Sequence, residues 1–374
     1  MSQNLDALYP EFWASAFASE SFDAGEYQMQ NLISRKYENI LGEAGDTVNV
    51  PLIPAMDATD WTPGDDISAT AVDQKSAQIV LNKSKKVTIG LNGKELSLTP
   101  YELMNSYAEP MAKGIIKSVN DAIYKEALKS KYFVNGTAGI TADHIVDANT
   151  ILSDNEVSML ERKFVGSPAA LGALFKTDPF QLANESGDVD VIRDGMVTKR
   201  FGLDFYMNNS ISKYTPSDVA GAVDLAAGYD AGDTTMVVDG FADNAKPVKA
   251  GDMFKVTGNA TFYTVLSTEV DNDGNTVKLN FFPGLAADAD DNAVITVTPT
   301  ESALAFNGSG LALASRPYAM LPEGTGVNSA ITEYRGLPVR ISVWSDGNLG
   351  LKVQMDVLFG TKIVNDKRVV RIIR

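Results

Sequence analysis

The sequence contains no cysteine, and His144 is its only histidine. Without thiols the chain has no disulfide and no thiolate nucleophile, and a single imidazole cannot build a His-rich metal site. We therefore predict no catalytic, cofactor-binding or metal-binding residue, and we interpret His144 as a surface or half-buried side chain. The lack of cysteine fits a reducing compartment.

Long apolar runs and excess positive charge are also missing. No run approaches the ~18 apolar residues needed to span a membrane, and the N-terminus lacks the basic and apolar regions of a secretory signal. The chain has 32 Lys and Arg against 48 Asp and Glu, a net charge of −16. Binding to nucleic acid phosphates requires basic patches. We therefore expect neither membrane insertion nor sequence-specific nucleic-acid binding.

The stretch AGDTVNVPLIP, from Ala44 to Pro54, alternates like an edge strand and ends at proline. About twenty polar residues follow, with a lone Trp61, before alternation returns at Ile79. A long hairpin over residues 45–91 that reaches away from the body would need such a sequence. An arm of this kind makes sense where a neighbouring subunit receives it.

The return strand of this hairpin, residues 78–91, carries Lys83, Lys85 and Lys86 near its middle. One interpretation is that the lysines protect an exposed strand edge. The other is that they contact the acidic tip of a neighbouring hairpin. Both interpretations leave the hairpin exposed; the acidic residues at its tip are Asp57, Asp60, Asp65 and Asp66.

Two aromatic residues near the N-terminus, Trp13 and Phe17, have the i,i+4 spacing of one helix face. They belong either to the core of this chain or to an arm that docks on a neighbour.

The strongest helix signal begins at Thr99, which precedes Pro100 and stands three residues before Glu102. A mid-helix proline, Pro110, predicts either a kink or a short helix followed by a long one. The apolar stripe of this helix comprises Leu103, Tyr107, Met111, Ile115, Val119, Ile123 and Ala127.

Shorter helices are predicted after the long one. Ser153 and Glu156 have capping-box spacing, which predicts a helix through Phe164 with Val157 and Leu160 facing inward. Two further starts have the pattern of an N-cap followed by proline, Ser167-Pro168 and Asp178-Pro179. Strands are predicted in KRFGLDFYMNNSI, residues 199–211.

The composition changes between about residues 219 and 299. Short alternating runs, among them TTMVVDG, DMFKVTG and TVKLNFF, are separated by Gly, Asp and Asn turns, which is typical of a small β-barrel or sandwich. Twelve acids against four lysines give this region a net charge of −8. We interpret it as an inserted module, after which the chain ends in three strands, LPVRISVW, GLKVQMDVLFG and KIVNDKRVVRII.

Several longer phrases occur in an order that resembles the tailed-phage major capsid (coat) proteins, in the subgroup that carries an inserted β-domain. They are NLISRKYENILGEAGDTVNVP, FVGSPAALGALFK, KRFGLDFYMNNSI, ESALAFNGSGLALASRPYAMLPEG and VQMDVLFGTKIVNDKRVVRI. Where relatives often have a histidine after the Ala-Phe of the fourth phrase, this chain has Asn307.

The resemblance implies an α+β tailed-phage capsid (Johnson) fold with axial and peripheral domains. Its parts would be an N-terminal arm (1–44), an extended hairpin (45–98), a spine helix with the first part of both domains (99–218), the inserted β-domain (219–299) and a return segment (300–374). Subunit contacts are expected at Trp13, Phe17, Trp61, Asp65, Asp66, Lys83, Lys85 and Lys86.

The function implied is that of a structural, non-enzymatic subunit that self-assembles into hexamers and pentamers of an icosahedral shell around double-stranded DNA. Scaffolding protein and a portal are implied partners, and the location is the virion capsid, assembled in the cytoplasm of a bacterial host. A tail-tube or surface-array subunit is an alternative. A third is an enzyme that uses a pair of carboxylates, which 48 acidic residues leave open.

Overall fold

The structure is a computed structural model, and it describes most of the chain in segments. The described residues are 29–37, 47–52, 75–92, 100–136, 139–177, 199–211, 220–241, 248–270, 276–298, 301–320, 326–334, 336–345 and 350–374, with the single residues Pro10, Ala14, Ala58, Asp60, Thr62, Phe180 and Pro322. Trp13, Phe17, Trp61, Asp65 and Asp66 lie outside the described residues.

Four α-helices are described with their bounds, α1 (Met29–Leu32), α2 (Pro100–Ala127), α3 (Ala142–Asp154) and α4 (Pro168–Leu174), and a 3-10 helix spans Asp366–Arg368. The strands before the acidic region are β1 (Thr47–Leu52), β2 (Lys75–Val80), β3 (Lys83–Leu91), β4 (Tyr132–Asn135), β5 (Arg162–Gly166), β6 (Lys199–Arg200) and β7 (Leu203–Met207). Those within it are β8 (Ala220–Val223), β9 (Thr235–Asp239), β10 (Met253–Val256), β11 (Tyr263–Val270), β12 (Val277–Phe282) and β13 (Val294–Val297). The last six are β14 (Ser302–Asn307), β15 (Leu311–Arg316), β16 (Val327–Tyr334), β17 (Leu337–Ser345), β18 (Leu351–Ile363) and β19 (Val369–Ile373).

Helix α2 runs for 28 residues through Pro110 without interruption, so the predicted alternative of two separate helices is wrong. Pro110 is exposed, on the side away from the core. Tyr107 is also exposed, and the buried stripe begins only at Met111 among the side chains described. From there the predicted positions are all buried, because their spacing of about four residues keeps them on one helix face.

The helix lies against a five-stranded sheet that we call the helix-backed sheet. Strand β18 pairs antiparallel with β3 along one edge and with β17 and β15 along the other, and β16 pairs with β17. Apolar residues of β17 and β18, including Ile341, Val353 and Phe359, form one core with the buried face of α2. The N-terminal segment joins this core through Met29 and Leu32.

A second, six-stranded sheet has the order β4-β19-β14-β5-β7-β6. Helices α3 and α4 contribute to its core, where Phe164 and Phe205 stack at 4.9 Å between ring centroids. Helix α4 begins as predicted, because Ser167 caps it by accepting a hydrogen bond from the Ala170 N–H at 3.0 Å and Pro168 follows.

The prediction of a helix from Ser153 to Phe164 is wrong. Ser153 lies in the last turn of α3, and the chain continues through turns into β5. Glu156 adopts a left-handed conformation with φ of 60°, which ends the helix. Leu160, predicted to face inward, is 76% exposed.

Strands β8 to β13 close a six-stranded barrel with the order β10-β11-β12-β9-β8-β13. Its interior is a separate core that includes Phe254, Tyr263 and Phe281, whose ring centroids lie 5.4–5.5 Å apart. The alternating runs of the sequence form these strands because every second side chain points into the barrel.

The barrel contacts the rest of the molecule through a small apolar junction and a buried cation. Met253 and Phe262 of the barrel region cluster with Ile373 of β19. Arg371, which is fully buried in β19, donates hydrogen bonds to the carbonyl of Leu128 at 2.6 Å and to that of Gly251 at 3.1 Å. One side chain thus joins the end of α2, the barrel and the last strand.

Candidate interaction surface

The three lysines predicted as contact residues lie on β3, which is an edge strand of the helix-backed sheet and not part of the hairpin. The hairpin itself is formed by β1 and β2, whose register pairs Thr47 with Val80. The predicted single return strand from residue 78 to 91 is therefore two strands, and placing the lysines on the exposed hairpin is wrong. The edge-protecting interpretation matches their position on β3.

The lysines face two different sides of the sheet, because side chains alternate along a strand. Lys83 and Lys85 share the face of Val87, whose side chain lies against Gly114 of α2. Lys86 points to the opposite face and is paired in register with Asp356 of β18. The three lysines are close together in the sequence, and only the pairing of β3 in the sheet shows which face each of them occupies.

Lys83 and Lys85 border a groove between β3 and the last turns of α2, which we call the lysine groove. Helix α2 and the residues after it add Lys125 and Lys129. Two acidic residues offset part of the positive charge of these lysines, since Lys125 pairs with Asp121 and Lys129 with Glu126, both at 2.7 Å. The groove keeps an excess of positive charge on a chain that is strongly acidic overall.

Lys83 is the half-buried lysine of the groove, and its ammonium donates a hydrogen bond to the hydroxyl of Thr361. Burial lowers the pKa of Lys83 and the neighbouring cations lower it further, while Glu126 opposes them. The same environment that disfavours its charge would favour an incoming carboxylate, because a negative partner would offset both the burial and the repulsion.

The groove continues onto the barrel, since a second depression shares Lys125 and Lys129 and adds Lys249 and Gly251. Lys249 lies just before β10. The sequence offered one signal for Lys125, which stands off the apolar stripe of α2, but none for bringing Lys249 to the same surface.

Lys86 lies over a hydrogen-bonded network on the other face of the sheet. Arg340 forms a bidentate ion pair with Asp356, at 3.1 and 2.7 Å, and both side chains are largely buried. Gln354 also donates to Asp356, at 2.8 Å. With its carboxylate already satisfied by Arg340 and Gln354, Asp356 is a structural partner within the sheet.

The base of the hairpin is fixed to the body. Val48, Val50 and Ile79 of the two strands form a core with Ala312 and Ala314 of β15. Beyond that base only Ala58, Asp60 and Thr62 are described, and all three are exposed. The described part of the hairpin is therefore buried against β15 at its base.

Among the described residues, no group of three His, Asp or Glu side chains could hold a metal ion. Over the same part of the chain, no helix combines the length and apolar character required to cross a membrane.

A scan against protein-family models and a search of curated proteins found no match to this sequence. Solved structures do match. A chain from a structure of Mycobacterium phage Che8 aligns over 94% of this chain and 93% of its own length, with a TM-score of 0.55 and 14% identity. A chain from the capsid structure of Cyanophage P-SCSP1u aligns over 95% and 90%, with a TM-score of 0.52 and 12% identity. The chain therefore has the mixed α and β fold of a phage capsid chain.

Proposed function

We propose that this chain is the structural, non-enzymatic subunit of a tailed-phage capsid. The observation that carries the proposal is the fold likeness to a capsid chain over nearly the whole length of both. In this function copies of the chain form the hexamers and pentamers of a closed shell around double-stranded DNA. Assembly takes place in the cytoplasm of a bacterial host, with a scaffolding protein and a portal as partners, and the product is the virion capsid.

The parts of the chain take the following roles in the proposal. Residues 1–44 are an N-terminal arm, residues 45–98 contain the extended hairpin, and α2 is the spine helix along the peripheral domain. The six-stranded sheet with α3 and α4 belongs to the axial domain. The barrel, within residues 219–299, is an inserted domain, and residues 300–374 complete both other domains.

The lysine groove is the proposed receptor for the hairpin of a neighbouring subunit. Asp60, Asp65 and Asp66 supply carboxylates, and the groove supplies Lys83 and Lys85. The half-buried Lys83 supports this assignment because an incoming carboxylate compensates the desolvation of its ammonium. Lys86 lies on the other face of the sheet, so it does not line the lysine groove and takes no part in this contact.

Trp13, Phe17 and Trp61 are proposed as apolar contact residues between neighbouring subunits. Copies of an acidic chain repel each other. Aromatic side chains buried between subunits would stabilise the contact without depending on charge. Low basic charge also lets DNA enter the shell without adhering to its inner surface, because phosphate binding requires Lys and Arg.

The first test is assembly of the wild-type chain. The chain is expressed alone in a bacterial cytoplasm, the lysate is sedimented through a gradient, and the fast fraction is imaged by negative-stain electron microscopy. Closed or spiral icosahedral particles are expected. Tubes or flat arrays would instead favour a tail-tube or surface-array subunit. A small species that persists on co-expression with a scaffolding protein would contradict the capsid function.

The lysine groove is tested by charge reversal within the same assay. The double variant Lys83→Glu/Lys85→Glu is expected to reduce the assembled fraction at least ten-fold while leaving the subunit folded. Lys86→Glu is the matched control, since it lies on the same strand but faces away from the groove, and it should assemble nearly normally. Recovery of assembly when Asp65→Lys/Asp66→Lys subunits are mixed with the double variant would identify the acidic partner. Equal defects in Lys86→Glu and the double variant would reject the groove.

A further inference from the structure

The lysine groove does not end at α2, because the barrel forms part of its wall. Residues 249–252, which we call the barrel turn, lie just before β10 and bring Lys249 and Gly251 to the depression bordered by Lys125 and Lys129. Lys249 is exposed on this turn. The continuous surface therefore comes from three parts of the chain, namely β3, the end of α2 and the barrel turn.

The barrel turn exposes its lysine and buries its acid. Asp252 is 2% exposed, and its carboxylate accepts a hydrogen bond from the Lys249 backbone N–H at 2.7 Å. The Asp252 N–H in turn donates to the Lys249 carbonyl at 3.0 Å. The turn is thus closed by two bonds between its first and last residues. It presents a positive charge to solvent although residues 219–299 carry a net charge of −8.

Two contacts fix the barrel turn on the body of the molecule. Gly251 has a φ of 98°, and a β-carbon at this position would lie 3.2 Å from the Leu128 carbonyl oxygen. Glycine therefore allows the turn to lie directly against the end of α2. The buried Arg371 guanidinium donates to the carbonyls of both Leu128 and Gly251. These contacts hold Lys249 at a defined place beside the lysines of α2.

The charged residues that line the extended groove are predominantly basic. Five lysines and two acids among the described residues give a net charge of +3, namely Lys83, Lys85, Lys125, Lys129 and Lys249 against Asp121 and Glu126. Both acids are paired with lysines of the groove, so the excess charge corresponds to Lys83, Lys85 and Lys249. A surface with this charge suits a partner that carries several carboxylates.

The spacing of acids in the hairpin favours it as that partner. Residues 57–66 contain Asp57, Asp60, Asp65 and Asp66 and no Lys or Arg. Ten residues can span up to about 35 Å, whereas two lysines that are two residues apart on β3 lie only about 7 Å apart. The lysines of β3 can therefore meet only part of this acidic stretch. The remaining carboxylates require cations farther along the groove, where Lys249 lies.

The acidic turns of the barrel are a less suitable partner for the groove. Asp233 and Asp288 accept hydrogen bonds from the backbone N–H groups of Asp230 and Ala231, at 3.1 and 2.9 Å. Carboxylates that stabilise their own turns have fewer acceptor positions left for a lysine. We therefore assign the groove to the hairpin of a second copy.

We propose that the barrel completes the receptor for the hairpin, and that Lys249 contacts the acidic stretch, residues 57–66, of a neighbouring copy. The inference rests on the proposed function and extends to the barrel a contact that was assigned there to Lys83 and Lys85. It gives the barrel a direct role in the contact between subunits, in addition to forming its own core.

The test reverses one charge on the barrel turn and makes the same change elsewhere on the barrel. Lys249→Glu is expected to lower the assembled fraction at least five-fold. Lys278→Glu, at an exposed residue of β12 that does not line the groove, changes the net charge equally and should assemble like the wild type. Both hydrogen bonds between Lys249 and Asp252 use the backbone of Lys249, so the variant keeps them.

Unchanged circular dichroism and an unchanged unfolding midpoint check the fold of Lys249→Glu. If this variant is misfolded, Lys249→Gln takes its place, and a reduced assembled fraction is again expected. Lys249→Arg retains the charge and should assemble normally.

Cross-linking identifies the partner, and the absence of cysteine makes it specific. Ala250→Cys keeps the lysine of the barrel turn, and Ala58→Cys keeps the acids of the hairpin. Particles are assembled from a mixture of these two variants with different affinity tags and are treated with a short bis-maleimide. They should give at least five-fold more mixed dimers than particles in which Ala227→Cys, at an exposed barrel residue outside the groove, replaces Ala250→Cys.

Several results would overturn the role of Lys249. They are normal assembly of Lys249→Glu, an equal loss in Lys278→Glu, equal yields of mixed dimers from the two barrel cysteines, and coupling of Ala250→Cys to a different polypeptide. None of them would overturn the capsid function or the contact at Lys83 and Lys85. Those are tested separately, by assembly of the wild type and by the double variant Lys83→Glu/Lys85→Glu.

Discussion

The barrel and the helix-backed sheet both have buried apolar cores, but their strands come from differently separated parts of the chain. All strands of the barrel come from one stretch, residues 220–298, and its core contains only residues of that stretch. In the helix-backed sheet, β18 near the C-terminus pairs with β3, which precedes it by most of the chain. Closing that separation costs more chain entropy and slows folding. The barrel is thus locally encoded, while the body requires both ends of the chain.

The largest effect expected from this comparison comes from removing one core phenylalanine in each region. Phe359→Ala in β18 and Phe281→Ala in β12 each remove a side chain that is at most 1% exposed, at a cost of about 3–5 kcal/mol. Hydrogen exchange measured by mass spectrometry should show Phe281→Ala loosening peptides of 220–298 first, and Phe359→Ala loosening peptides of β3, β17 and α2. If each variant accelerates exchange uniformly over the chain, the two regions are one cooperative unit.

A smaller effect is expected from Arg371→Met, which removes the buried cation that joins the barrel to the rest of the molecule. The carbonyls of Leu128 and Gly251 would lose a charged donor, and each unsatisfied buried acceptor costs about 1–3 kcal/mol. We expect a loss of roughly 2–4 kcal/mol in the free energy of unfolding, measured by urea titration. Lys367→Met, at an exposed site, is the control and should be nearly neutral. A barrel whose exchange and unfolding are unchanged in Arg371→Met would mean that the junction does not couple it to the body.

The smallest effect concerns the hydroxyl of Tyr124, on α2, which joins the helix to the chain leaving the barrel. It donates to the Ser302 carbonyl at 2.9 Å and accepts from the Ser302 N–H at 3.2 Å. Tyr124→Phe should cost about 1 kcal/mol at neutral pH.

The pH dependence of that cost follows from burial, which raises the pKa of Tyr124 to about 12 from its usual value of 10.0. Between these two values the unfolded chain releases the proton that the folded chain retains. The contribution of Tyr124 to stability is therefore complete below pH 10 and is lost as the pH rises toward 12. Urea titrations from pH 8 to pH 11 should show a smaller decline for Tyr124→Phe than for the wild type. Parallel declines would contradict the raised pKa.

The sequence predicted the long helix and the barrel strands well because their signals are local. The proline at position 100 and the four-residue spacing of α2 act within the helix itself. The alternation in TTMVVDG and TVKLNFF likewise reports which side chains point inward, and these runs form β9 and β12. The same reasoning failed at Ser153 and Glu156. Their capping-box spacing predicted the start of a helix, but α3 ends there.

That failure has an identifiable cause. Arg162 satisfies the carbonyls of Val157 and Ser158, so the chain after α3 does not need helical hydrogen bonds. The competing partner comes from β5, whose position depends on its pairing with β14 and β7. A window of sequence around Ser153 contains no information about that pairing. The loop that replaces the predicted helix exposes Met159 and Leu160 to solvent, where a helix with Leu160 facing inward was predicted.

The sequence by itself determined the secondary structure of the locally patterned regions, the acidic character of the chain and the exclusion of cysteine chemistry. Only the tertiary structure decided that β3 leaves the hairpin to pair with β18, that Lys83 and Lys85 face α2 while Lys86 does not, and that Lys249 joins their groove. The reason is physical. Helix and strand periodicity are set by neighbours along the chain, whereas the face and the partner of a strand are set by residues that folding brings together from distant positions.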